Sequence, residues 1–79
     1  MPVDDAQMTR MVQREIARRY VDTTRLDVRA MHGVVYLKGT IKALRGHELN
    51  LEHEFEVMQR VIRSKPGIRD VIADVELIG

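Results

Sequence analysis

The sequence predicts an α+β domain, αββαβ in chain order, with two helices packed on one face of a small three-stranded sheet. Three observations predict it. Two segments repeat apolar residues at helical spacing. Three others alternate apolar and polar side chains with period two. A two-residue, glycine-containing link, His32-Gly33, joins the first two alternating runs as a hairpin turn does. At 79 residues the chain has room for one domain, spanning residues 1–79.

The first helix is expected from about Asp5 to Tyr20. Asp4 can cap it, with Gln7 three residues on as a capping-box partner, and Val3 and Met8 stand at the positions of a hydrophobic staple. Met8, Val12, Ile16 and Tyr20 recur every four residues and draw one apolar stripe. Arg10, Arg14 and Arg18 lie roughly opposite. The first strand follows at Leu26–Met31, with Leu26, Val28 and Ala30 on one face and Asp27, Arg29 and Met31 on the other. After the turn, the second strand runs from Val34 to about Ile41. Val35, Leu37, Gly39 and Ile41 share its inner face, and Val34, Tyr36, Lys38 and Thr40 its outer face.

A loop through Lys42–Gly46 leads to a second helix, roughly His47 to Ser64. Leu51, Phe55, Met58 and Ile62 carry its apolar stripe. Glutamates crowd its first half and arginines its end, the order that complements the helix dipole. Pro66-Gly67 stops it. The third strand, about Ile68 to Ile78, places Val71, Ala73, Val75 and Leu77 inward and Ile72, Asp74, Glu76 and Ile78 outward.

Composition narrows function. There is no cysteine, which excludes disulfides, thiolate chemistry and Cys-based zinc sites. No run approaches the ~18 apolar residues of a membrane span. "MPVDDAQMTR" has acidic residues where an export signal has basic ones. A soluble, cytoplasmic protein is expected, periplasmic only if the chain is a fragment of an exported one. The net charge of +1 conceals two halves of opposite sign. Arg10 to Arg45 holds nine Lys/Arg and three Asp/Glu; Gly46 to Gly79 holds four and seven. Opposed halves suit an anionic partner or head-to-tail self-association.

Chemistry-bearing motifs are few. "HELNLEHEFE" offers Glu48, Glu52 and Glu56 at one-turn spacing, but His47 and His53 are six apart and H-E-x-x-H is absent. A solvated acidic helix face is expected there rather than a metal site. The lone serine, Ser64, falls at a helix end, and the three histidines are scattered, so no catalytic constellation is expected. A G-x-x-G clamp for a nucleic-acid backbone is also missing. No cofactor is implied and nucleic acid is not an expected partner.

Two stretches carry a family likeness. "LDVRAMHGVVYLKGTI" resembles the core of the BON domain family, an alternating strand, a polar-Gly turn, then G-V-V-x-L-x-G-x-V. "KPGIRDVIADVEL" resembles that family's closing P-G-V-x-x-V-x-N-x-L-x-V. Family glycines map onto Gly33, Gly39 and Gly67; Ala73 stands where the family usually has Asn, and the stretch from Gly39 to Gly67 is slightly long. The resemblance implies the αββαβ fold and a non-enzymatic module that binds phospholipid surfaces or mediates protein interaction.

Three groups of candidate residues follow. The open sheet face, with Met31, Val34, Tyr36, Ile72 and Ile78, is the expected contact surface for a protein partner or a second copy. Arg10, Arg14, Arg18, Arg25 and Arg29 form the alternative, a basic surface for anionic phospholipid. His32, Gly33, Gly39, Pro66 and Gly67 are expected to serve backbone geometry. His32 is read as a turn residue rather than a chemical group.

Overall fold

A computed structural model describes residues 4–44 and 50–79. The first helix, α1 (Asp5–Ala17), starts where Asp4 leaves extended geometry and its carboxylate accepts the Gln7 N–H at 2.7 Å. Val3, the proposed staple residue, lies outside the described residues. Met8, Val12 and Ile16 are buried as the spacing predicts. Tyr20 is not: the helix ends at Ala17, and Tyr20 is 65% exposed. The physical reason is Val21, which must leave the helix to enter the sheet and is itself buried.

The sheet has four strands rather than the expected three: β1 (Val21–Asp22), β2 (Leu26–Met31), β3 (Val34–Ala43) and β4 (Asp70–Ile78). β3 is central. It continues past Ile41 because Lys42 and Ala43 pair with Asp22 and Val21. β1 and β2 both run antiparallel to β3, and the pairing slips by one residue across Thr23–Arg25. Gly39 absorbs that slip. Its φ is +125°, and a Cβ there would collide with the Arg25 carbonyl. β4 lies parallel to β3, with Tyr36 beside Ile72 and Ile41 beside Leu77. It begins at Asp70 rather than Ile68, since Ile68 and Arg69 are occupied in turn contacts with Lys65 and Gly33.

The second helix, α2 (Leu51–Arg63), is capped by Asn50, whose side chain accepts the His53 N–H at 3.1 Å. Asn50 is extended, so this helix begins after it; the expected start, His47, is among residues 45–49, which lie outside the described part. Ser64 closes the helix with its N–H on the Arg60 and Val61 carbonyls.

One cluster forms the core: Met8, Val12 and Ile16 from α1, Leu51, Met58 and Ile62 from α2, and Val21, Ala30, Val35, Leu37, Ile41 and Val71 from the sheet. Each large apolar side chain sealed there contributes about 1.5–3 kcal/mol, and β3 supplies three of them. At the outer strands the cover thins. Leu26, Val28, Val75 and Leu77 are half-buried, and Ala73, expected inside, is exposed.

Candidate interaction site

Strand period two sends alternate strand residues to the far side of the sheet, where no helix among the described residues lies against them. The register arranges these residues in rows. At one end Met31, Val34 and Asp70 stand side by side, and next to them Arg29, Tyr36 and Ile72. Directly opposed side chains lie about 5 Å apart. Met31, Val34, Tyr36 and Ile72 are therefore one apolar patch, with Arg29 and Asp70 at its flanks. The third row is charged: Lys38 sits between Asp27 and Asp74.

Ile78, the fifth predicted member, is not brought to this patch. It pairs with Lys42, six residues along β3 from Tyr36, about 20 Å away. The rows of Lys38 and of Thr40 with Glu76 lie between. On the near side, Asp27, Arg29, Met31, Tyr36 and Lys38 line a shallow depression of about 360 Å³. It is open and mixed in character, so it suits a protruding side chain of a partner rather than an enclosed small ligand.

The hairpin that aligns Met31 with Val34 is made by His32 and Gly33, both at positive φ, +52° and +83°. Two consecutive residues of that kind make a type I′ turn, whose twist matches the strands it joins. The His32 N–H donates to Asp5 Oδ1 at 3.1 Å, so the turn is also held by the start of α1. Gly33 has no room for a side chain: a Cβ would lie 2.8 Å from the Gly67 carbonyl oxygen. Pro66 and Gly67 form the turn that returns the chain from α2, as their sequence suggests. All five predicted turn residues thus sit at chain reversals or, for Gly39, at a slip in strand pairing.

The five arginines do not gather. Arg10, Arg14 and Arg18 are exposed on α1, Arg25 is in the break between β1 and β2, and Arg29 is on the open sheet face, the opposite layer from α1. Arg18 also turns back toward Glu15, at 3.8 Å. No continuous basic surface of five arginines exists.

Glu15 is the residue that sequence reasoning missed. It is 9% exposed, between the helices, with Arg19 at 3.7 Å and Lys65 at 3.3 Å. Arg19 reaches on to Glu54 of α2 at 3.6 Å, while its Nε is buried with no hydrogen-bond partner among the described residues. A signal was present: Glu15 adjoins Ile16 on the buried side of α1, and Arg19 follows it by one turn. Its partner Lys65 comes from 50 residues away, and Glu54, which Arg19 meets, lies 35 residues beyond that arginine, distances that no local pattern discloses.

One carboxylate is electrostatically distinct. Asp22 accepts the Thr24 N–H at 3.0 Å and the Thr24 hydroxyl at 2.7 Å. The backbone hydrogen bond, then the hydroxyl, then Lys42 and Arg25 at longer range favour its ionised form and hold its pKa below the usual aspartate value. This closes a local turn at an exposed site and does not prepare a catalytic acid. Among the described residues, no three His, Asp or Glu side chains converge as metal ligands would. His53 is exposed on α2, and His47 lies outside the described residues. No described helix is long and apolar enough to cross a membrane. Neither a family model nor a curated protein matches this chain.

Proposed function

We propose that the chain is a non-catalytic interaction or self-assembly module that docks a protein surface, a partner's or its own, on the open face of the sheet. The observation that carries the reading is the row structure of that face. Met31, Val34, Tyr36 and Ile72 come from three strands and adjoin, with three of the four more than 40% exposed. Adjoining exposed apolar side chains with a charged rim are the anatomy of a contact surface. Tyr36 at its centre and Arg29 beside it at the flank are of the types that dominate binding energy at interfaces.

Membership of the BON family belongs to the same proposal. With β1 and β2 taken as one strand broken at Thr23–Arg25, the element order becomes αββαβ, the arrangement which that resemblance implies.

The test is an amide chemical-shift study in two arms, a dilution series and a titration with anionic vesicles. The reading expects Met31, Val34 and Tyr36 to move with protein concentration, and Tyr36→Glu to remove the shifts of Met31 and Val34. If Tyr36→Glu leaves the concentration dependence of Met31 and Val34 intact, the open face is not the contact surface. If the vesicles instead move Arg10 and Arg14 while the sheet stays silent, a membrane is the partner and this reading is overturned.

A further inference from the structure

We propose that the outer edge of β4 is a homodimer interface, joining two copies antiparallel about a two-fold axis that passes through Val75. The inference rests on the reading of the chain as a self-assembling module. It uses the strand edge and shares only Ile72 with the open-face patch, so substitutions at Tyr36 and at Ile78 test the two separately.

The two edges of the sheet are treated differently. On β2 two of the three outward N–H groups are taken, Leu26 donating to the Thr23 carbonyl at 3.1 Å and Ala30 to Thr9 Oγ1 at 3.0 Å, which leaves Val28 between them; in the turn that follows, His32 donates to Asp5 Oδ1 at 3.1 Å. The start of α1 thus caps this edge. On β4 only the first outward group is capped. The Val71 N–H turns to Asp70 Oδ1 at 2.8 Å. Alternate residues of a parallel ladder face the neighbouring strand, so Ala73, Val75 and Leu77 also turn outward, and no side chain among the described residues caps them. A nine-residue edge with bare amides is longer than most strands and is a template for another strand.

The side chains select the occupant and the register. An axis at Val75 sets Val75 against Val75 of the second copy and Ala73 against Leu77, pairing the inner-face residues that α2 leaves half-buried or exposed. On the open face it sets Ile72 against Ile78, twice. This covers the two β4 isoleucines that are 48% and 41% exposed, including the Ile78 that stands apart from the apolar patch. An axis at Asp74 would instead oppose that carboxylate to itself and each isoleucine to an acid, and one at Glu76 would oppose that carboxylate to itself and Ile78 to Asp74. The axis at Val75 leaves one unfavourable kind of pair, Asp74 with Glu76, formed twice, beside which Lys38 neighbours Asp74.

The flank of α2 turned away from α1 agrees. Glu54 and Lys65 mark the side facing α1 through their ion pairs. At 100° per residue, Glu52, Gln59 and Arg63 lie on the other side, over the free edge. A two-fold axis brings the Glu52 end of one α2 toward the Arg63 end of the next, with opposite charges meeting.

Sedimentation velocity over a concentration series tests the dimer. The expected result is a monomer–dimer equilibrium that Ile78→Lys loosens by about tenfold or more and Glu76→Lys tightens by about tenfold, since it turns two like-charge pairs into attractive ones. Both positions are exposed, so the fold is retained. In the cysteine-free chain, Val75→Cys forms a disulfide-linked dimer on mild oxidation, whereas Val71→Cys does not. Tyr36→Glu leaves the dimer intact. A chain that stays monomeric at every concentration overturns the proposal. So does dimerisation that Glu76→Lys weakens, or association that Tyr36→Glu abolishes, which would assign it to the open face.

Discussion

The amide of Arg69 donates to the carbonyl of Gly33 at 2.7 Å. This one bond ties the tip of the β2–β3 hairpin to the chain entering β4, and it sets the first row of the open face. It requires close backbone approach, which is why position 33 carries no side chain.

Gly33→Ala is therefore expected to destabilise the protein by about 2–3 kcal/mol. Positive φ costs a non-glycine residue roughly 1–2 kcal/mol, and the added Cβ must displace the Gly67 carbonyl. His32→Asn, by contrast, puts a residue favoured in type I′ turns at a φ of +52° and is expected to be neutral or stabilising by a few tenths of a kcal/mol. Urea denaturation of the two variants checks both signs. A large loss from His32→Asn would show that the histidine side chain has work beyond the turn.

Glu15→Gln is expected to cost about 1–3 kcal/mol. It leaves Arg19 and Lys65 part-buried beside a neutral group, and the penalty of an unpaired buried charge exceeds the value of a surface pair. Glu56→Gln removes an equally visible ion pair, with Arg60 at 3.0 Å, but both partners are about two-thirds exposed or more. Its expected cost is within ~0.5 kcal/mol. Equal losses for the two variants in thermal or chemical unfolding would contradict this ranking.

These cases mark what the sequence makes legible. Alternation and turn chemistry identify β2, β3, the His32-Gly33 hairpin and the buried stripe of Met8, Val12 and Ile16, because period and glycine act within a few residues. Pairing between distant strands is not written locally. β1 is two residues long and exists only because β3 extends to meet it. Tyr20 continues the four-residue spacing of α1, yet the demand of Val21 for the sheet overrides it. On the open face, alternation correctly separates the outward residues, but only the β3–β4 register reveals that Tyr36 meets Ile72 and that Ile78 does not join them. Ala73 has an inward parity and an outward exposure because the helix layer stops short of the sheet's edge.

Acid sensitivity is expected at Asp22. Its pKa is lower folded than unfolded, so its contribution to stability is present above the unfolded value of ~3.9 and is lost as pH falls through the lower folded value. A carboxyl carbon-13 titration should place the Asp22 midpoint below that of ordinary exposed aspartates. Thr24→Ala should move it upward, since the hydroxyl is one of the two donors while the backbone N–H remains. An unchanged midpoint in Thr24→Ala would mean that the hydroxyl adds nothing to the turn.

The capped edge of β2 gives the last prediction. Thr9 Oγ1 accepts the Ala30 N–H and donates to the Asp5 carbonyl at 2.8 Å, so one hydroxyl links the first turn of α1 to the strand edge. Thr9→Val keeps the branched shape but removes the acceptor. The Ala30 amide then faces outward without a partner, which costs about 1 kcal/mol of stability. Hydrogen exchange should speed up at Ala30, while His32, held separately by Asp5, keeps its protection. The bared amide also gives β2 the kind of open edge that β4 already has, so Thr9→Val should raise self-association relative to the parent chain. Unchanged exchange at Ala30 would show that the helix shields this edge by bulk alone, and the contrast between the two edges would lose its chemical basis.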